Sequence, residues 1–187
     1  DFAWVQHMIA SMKPETGRVG VVMPHGVLFR GSSEGAIRQH LIENDMLEAV
    51  IGLAPNLFYG TTIPACLLFF RATKDKARKK HVLFVDGSKR FTKGKNQNEL
   101  SVSDVEDLFS VYESNGKTEK PDIAARLVPH DEIAGNKYDL NIGRYLKTAA
   151  AEIVDVAEAL ASLDEALTNL ATAEQAMLER LKAAGYA

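Results

Sequence analysis

Residues 18–86, RVGVVMPHGVLFRGSSEGAIRQHLIENDMLEAVIGLAPNLFYGTTIPACLLFFRATKDKARKKHVLFVD, decide the fold. They contain four short runs that are almost wholly apolar and rich in β-branched residues: RVGVVM (18–23), MLEAVIGL (46–53), ACLLFFRA (65–72) and HVLFVD (81–86). Continuous apolar runs of this length are the pattern of strands covered on both faces. Pro24-His25-Gly26 ends the first run. Ser32 or Ser33 is placed to cap a helix whose apolar stripe is Ile37, Leu41 and Ile42. Upstream, Phe2, Trp4, Val5, Met8, Ile9 and Met12 recur at three- and four-residue steps, which predicts a helix ended by Lys13-Pro14 and Gly17. Helix, strand, helix and further strands make an α/β sheet with helices on its faces.

Past residue 90 the texture changes. FTKGKNQNEL (91–100) is polar and reads as a loop, and Ser101 or Ser103 opens a helix with Val105, Leu108, Phe109 and Tyr112 on one side. Residues 114–122 read as a surface loop. A short helix follows Pro129, and KYDLNIGRYL (137–146) is irregular and half apolar. In the tail, Ile153, Val156, Leu160, Leu163, Leu167, Leu170, Met177 and Leu181 fall on alternating three- and four-residue steps, with Glu174 interrupting at one position. That 3.5-residue repeat is the seam of a coiled coil, either an assembly helix or a terminal helix packed on its own domain.

Composition is that of an ordinary globular chain, 46% hydrophobic and 25% charged over 187 residues. No run reaches the roughly 20 apolar residues of a membrane helix. One cysteine, Cys66, cannot form an internal disulfide, which fits a reducing cytoplasm. Its apolar neighbours favour a buried hydrophobe over a catalytic thiol. The net charge of −3 hides an asymmetry. Ten Lys or Arg lie between Arg71 and Lys95 against only Asp75 and Asp86, whereas seven acids follow Ala149 against Arg180 and Lys182. The basic stretch is either a polyanion-binding segment or a solvated connection between strands. The five histidines are scattered, with no metal-ligand spacing, and no phosphate loop, dinucleotide fingerprint or nucleophile elbow is present.

NLFYGTTIP (56–64) stands apart. Two aromatics followed by Gly and two Thr, at the mouth of a buried strand, serve either as a lid over the sheet edge or as a platform for a planar base taken out of a duplex.

Taken together, VMPHGVLFRG, LFYGTTIPA, KGKNQN and NIGRY, in this order over roughly residues 1–146, resemble the modification subunit of type I restriction-modification systems. The resemblance implies the C-terminal half of a Rossmann-like, S-adenosylmethionine-dependent methyltransferase sheet, followed by a long C-terminal coiled-coil helix. It implies methyl transfer to the N6 of adenine in double-stranded DNA in the cytoplasm. It divides the chain into methyltransferase domain (1–90), family-specific extension (91–147) and docking helix (148–187). Phe58 or Tyr59 matches the position expected to stack on the extruded base, and Phe2 begins the helix that borders the cofactor pocket. Lys93, Lys95, Asn96 and Asn98 are candidates to contact phosphate or to order their loop beside DNA. The seam Ile153, Val156, Leu160, Leu163, Leu167 and Leu170 would dock a specificity subunit, and a restriction nuclease subunit is a further expected partner. Neither the glycine-rich cofactor turn nor the Asn-Pro-Pro-aromatic tetrapeptide of such enzymes occurs in the chain. With the non-methionine start and a sheet lacking its first strands, this leads to the expectation of a C-terminal piece of a longer subunit, inactive alone. The alternative is a non-catalytic interaction module that binds a helical partner through residues 153–181.

Overall fold

The fold is taken from a computed structural model that describes residues 1–146 and 156–186. The chain divides into two compact units, Asp1–Thr148 and Ala149–Ala187.

In the first unit a five-stranded sheet has the order β1-β3-β2-β4-β7. Its strands are β1 (Arg18–Pro24), β2 (Leu47–Gly52), β3 (Ala65–Arg71), β4 (His81–Asp86) and β7 (Ala124–Pro129). β2 and β4 pair in parallel, and the other three contacts are antiparallel. β2 is buried at every position and β4 at all but its ends, because both faces are covered. One face carries Val50, Leu68, Phe70, Val82 and Phe84 beneath α1 (Phe2–Ala10), α2 (Ser33–Glu43), α4 (His130–Gly135) and α5 (Ile142–Tyr145). The other carries Ala49, Ile51, Leu83 and Val85 against Leu108 and Val111 of α3 (Val102–Glu113). The side chain of Ser101 accepts from the Asp104 amide while the Asp104 carboxylate accepts from the Ser101 amide, a capping box that fixes the start of α3.

β1 departs from the expectation of a strand covered on both faces. Val19, Val21 and Met23 pack inward, but Gly20 is exposed and Val22 is 47% exposed. It is an edge strand, and α3 stops short of its second face. Ser32 precedes α2 without a side-chain cap bond, since its φ of 58° is not that of a capping residue. On α3 the inward residues are Leu108 and Val111, while Val105 and Phe109 of the expected stripe are exposed.

A strand that the sequence pattern does not announce, and the segment 137–146 expected to be irregular, belong to the sheet and its core. β7 adds an antiparallel strand to β4, and its Arg126 pairs with Glu132 at 2.6 Å. KYDLNIGRYL supplies Leu140, Ile142, Tyr145 and Leu146 to the core, with the Tyr145 ring stacked on Phe84 at 4.3 Å. The buried Arg38 secures this segment by donating to the carbonyls of Tyr138 and Val27. β4, before residue 90, and β7, after it, thus lie side by side in one sheet.

In the second unit α6 runs from Val156 to Ala183. Ile153 lies outside the described residues, as do the side chains of residues 156–159. Among the described residues no helix is long and apolar enough to cross a membrane, and no cluster of metal-ligating side chains occurs.

Candidate functional site

β1, β2 and β4 run in the same direction and deliver Pro24, Gly52 and Asp86 to one edge of the sheet. Ligands of open α/β sheets sit in crevices outside such carboxyl ends. Three connections meet there: the turn after Pro24, the loop 53–64 between β2 and β3, and the segment 87–101 between β4 and α3. The loop 53–64 is closed at its base by the Leu53 amide, which donates to the Ala65 carbonyl at 2.9 Å. At its crown Phe58 and Thr61 form an isolated bridge around Tyr59 and Gly60. Gly60 has φ +76° with open space around it, so the residue is set by backbone conformation and not by crowding. Phe58 is 41% exposed and Tyr59 92% exposed. Phe58 also walls a cleft of ≈ 220 Å³ with Val22, Met23, Pro24, Thr61 and Ile63.

KGKNQN is a two-stranded hairpin, β5 (Thr92–Lys93) and β6 (Asn98–Glu99), and it lies against the entry limb of that loop. The Asn98 side-chain amide donates to the Pro55 carbonyl at 2.8 Å, and its backbone amide donates to the Asn56 carbonyl at 2.8 Å. In return the Asn56 side chain donates to the Asn96 carbonyl at 3.3 Å. Gly94 closes the hairpin, and a Cβ there would collide with the Gln97 carbonyl. Arg90 anchors the segment through Asp122 at 2.9 Å, Asp104 at 3.4 Å and Asp107. These bonds raise the Arg90 pKa, led by the one to Asp122, and lower that of Asp122. On the exit limb a His25 ring nitrogen lies 3.0 Å from the Ala65 carbonyl. The aromatic loop is thus held at both ends and exposed at its crown.

The basic stretch does not form one patch. Arg71, Lys74 and Arg78 are buried at the opposite edge of the sheet, where Arg71 and Arg78 pair with Glu48 and Lys74 with Asp45. Lys76, Lys79 and Lys80 are exposed near that same far edge. Only Lys89, Lys93 and Lys95 are exposed beyond the end of β4, on the side of the aromatic loop. The length of β4 separates the two groups by roughly 20 Å.

The sequence profile of the N-6 DNA methylase family matches residues 1–153. The chain belongs to this family. Among curated proteins it is similar to the type I restriction enzyme MjaVII methylase subunit of Methanocaldococcus jannaschii, 34% identical over 78% of this chain. The type I restriction enzyme MpnII methylase subunit of Mycoplasma pneumoniae is 33% identical over 88% of this chain. The solved methyltransferase subunit of a type I restriction-modification system from Streptococcus thermophilus superposes with a TM-score of 0.72, at 39% identity over 79% of this chain. The chain spans 25% and 30% of the length of the two curated relatives and 30% of the solved one.

The region matched to the N-6 DNA methylases takes in the sheet, the aromatic loop and the hairpin, while α6 begins beyond it. Phe2 is 2% exposed and sits in the core beside Val5 and Leu28. Burial pushes the Cys66 thiol up to about 12, so it is an inert core residue. On α6, Leu160, Leu163, Leu167 and Leu170 are all 54–57% exposed. The ties from Asn98 and His25 to the loop had no counterpart in the sequence reading. Each joins residues about 40 positions apart, and its acceptor is a backbone carbonyl.

Proposed function

We propose that this chain supplies the base-stacking loop, a DNA-facing basic flank and the docking helix of a type I modification subunit. The whole subunit methylates the N6 of adenine in double-stranded DNA with S-adenosylmethionine as donor. The observation that carries this reading is the aromatic loop 53–64, exposed at its crown and braced at the carboxyl edge of an N-6 DNA methylase sheet.

A target adenine must leave the duplex before chemistry reaches its amino group. Phe58 is the residue placed to receive it, because it is half-exposed and walls the cleft at the end of β1. Tyr59 at the crown is placed to follow the strand. Lys93, Lys95 and Asn96, all exposed on the hairpin, track the phosphates beside the loop. Each phosphate contact adds about one unit to the salt slope of binding.

S-Adenosylmethionine does not fit the residues of this chain taken alone. The cleft beside Phe58 offers no carboxylate for ribose hydroxyls and no glycine turn for the methionine end. Phe2 is covered by core side chains, so its part is to back the wall of a cofactor pocket completed by other residues. Calorimetric titration of this polypeptide with S-adenosylmethionine is expected to give only heat of dilution and no methyl transfer. A saturable isotherm would overturn that.

In the whole subunit, Phe58→Ala is expected to lower methylation by roughly 5- to 150-fold, the range for losing one base stack. Tyr59→Ala is expected to have the smaller effect. Single-turnover methylation of a duplex oligonucleotide measures both, and wild-type rates for the two variants would refute base stacking by this loop. The exposed α6 seam supports docking to a specificity subunit, through which a nuclease subunit joins the assembly. A purely non-catalytic interaction module, the second reading, draws on that same seam. It predicts no effect of Phe58→Ala on methylation by the assembled complex.

A further inference from the structure

We infer that Asn98 is a positioning residue for base extrusion, acting through the aromatic loop and not by touching DNA. The inference rests on the reading in which Phe58 stacks on the extruded base. Asn98 donates twice to the loop's entry limb, from its side chain to the Pro55 carbonyl and from its backbone to the Asn56 carbonyl, both at 2.8 Å. Those acceptors lie three and two residues before Phe58, on a limb where Asn56 has the left-handed φ of 57°. A loop that must hold a ring against an uncharged, departing base gains from being set before the base arrives, because ordering it at that moment would cost conformational entropy.

The hairpin is itself fixed independently of the loop. Arg90 is bonded to Asp104, Asp107 and Asp122, and the Asp104 carboxylate also caps α3. The brace therefore runs from the rigid start of α3, through Arg90 and the hairpin, to the limb that carries Phe58. Lys93 and Lys95 lie on the outward side of the same hairpin, exposed and without an ion-pair partner among the described residues. One hairpin thus serves two separable tasks: its lysines set DNA affinity, and Asn98 sets how the loop meets the base.

The test uses the whole modification subunit assembled with its specificity subunit, and a duplex with 2-aminopurine in place of the target adenine. Asn98→Ala and Asn98→Asp both remove the side-chain donor. Each is expected to lower the extrusion fluorescence and kcat by about fivefold to tenfold, with DNA affinity within about twofold of wild type. Asn98→Gln keeps a donor and is expected to recover part of the loss. Lys93→Ala with Lys95→Ala is expected to flatten the salt slope of binding by about two units, a change that Asn98→Ala does not share. Thermal unfolding checks that each variant is folded, and the partial recovery by glutamine separates a positional effect from a general loss of structure. Wild-type extrusion and kcat for both Asn98→Ala and Asn98→Asp, alongside a depressed Phe58→Ala, would overturn the inference and leave the stacking reading standing. A parallel loss of affinity and salt slope in Asn98→Ala would overturn it differently, by making Asn98 a phosphate contact. An unaffected Phe58→Ala would sink the stacking reading and this inference with it.

Discussion

Replacing Glu48 by alanine is expected to destabilise the sheet domain by about 3–5 kcal/mol, the range for removing one partner of a buried ion pair. For a unit of this size that corresponds to a fall in thermal midpoint of roughly 6–20 °C. Glu48 is 1% exposed at the start of β2. One carboxylate oxygen lies 3.3 Å from the Arg71 guanidinium and 3.1 Å from that of Arg78, and the other accepts from the Tyr112 hydroxyl at 2.7 Å. Arg78 also stacks over the Tyr112 ring at 4.2 Å and donates to the Asn115 side chain at 2.6 Å. Burial, followed by the bond to Glu48, raises the Tyr112 pKa and keeps the phenol protonated as a donor. Truncation at Glu48 removes the buried carboxylate that Arg71 and Arg78 share and the acceptor of the Tyr112 hydroxyl. Glu48→Gln keeps an acceptor for Tyr112 and is expected to lose less. Asp75→Ala removes only an exposed partner of Arg71 and is expected to change stability by less than about 1 kcal/mol. Differential scanning calorimetry of the three variants decides the matter. A Glu48→Ala midpoint within about 2 °C of wild type would show that the cluster is not a point of stability.

The second large effect concerns α6. Leu160→Asp combined with Leu167→Asp is expected to abolish co-purification with the specificity subunit while the sheet domain keeps its thermal midpoint. The helix is 28 residues long, about 42 Å, and its leucines at 160, 163, 167 and 170 are more than half exposed. Each leucine buried in a partner seam contributes about 1.5–3 kcal/mol, so the pair alone accounts for at least about a 100-fold change in affinity. A carboxylate driven into the seam adds its desolvation cost. Pull-down of the tagged specificity subunit with the double variant is the measurement, and full recovery of the complex would reject α6 as the docking element.

How much of this was legible in the sequence depends on how local the controlling interactions are. HVLFVD maps onto β4 residue for residue, and MLEAVIGL and ACLLFFRA overrun β2 and β3 only by one or two residues at their ends. Continuous burial on both faces leaves a continuous apolar run. The start of α3, narrowed to Ser101 or Ser103, and the helical character of the tail were also readable, since both depend on residues within one or two helical turns. β7 was missed because Arg126 interrupts a short run and its side chain pairs with Glu132 instead of marking a loop. NIGRY was read as irregular, although Tyr145 is a core residue, because four helical residues are too few to show a period.

By itself the sequence placed β1 to β4, narrowed the start of α3 to Ser101 or Ser103 and showed the apolar repeat of the tail, and through its motifs it pointed to the family. Only the tertiary structure decided that β1 has an open face, that the basic stretch is split between two edges of the sheet, and that Asn98 holds the loop of Phe58. The reason is physical. Periodicity and capping are set by neighbours along the chain, whereas sheet order sets which charges are neutralised and which carbonyl a side chain meets. Contacts of that kind, made across 40 residues to an uncoded backbone atom, leave no mark on the one-dimensional pattern.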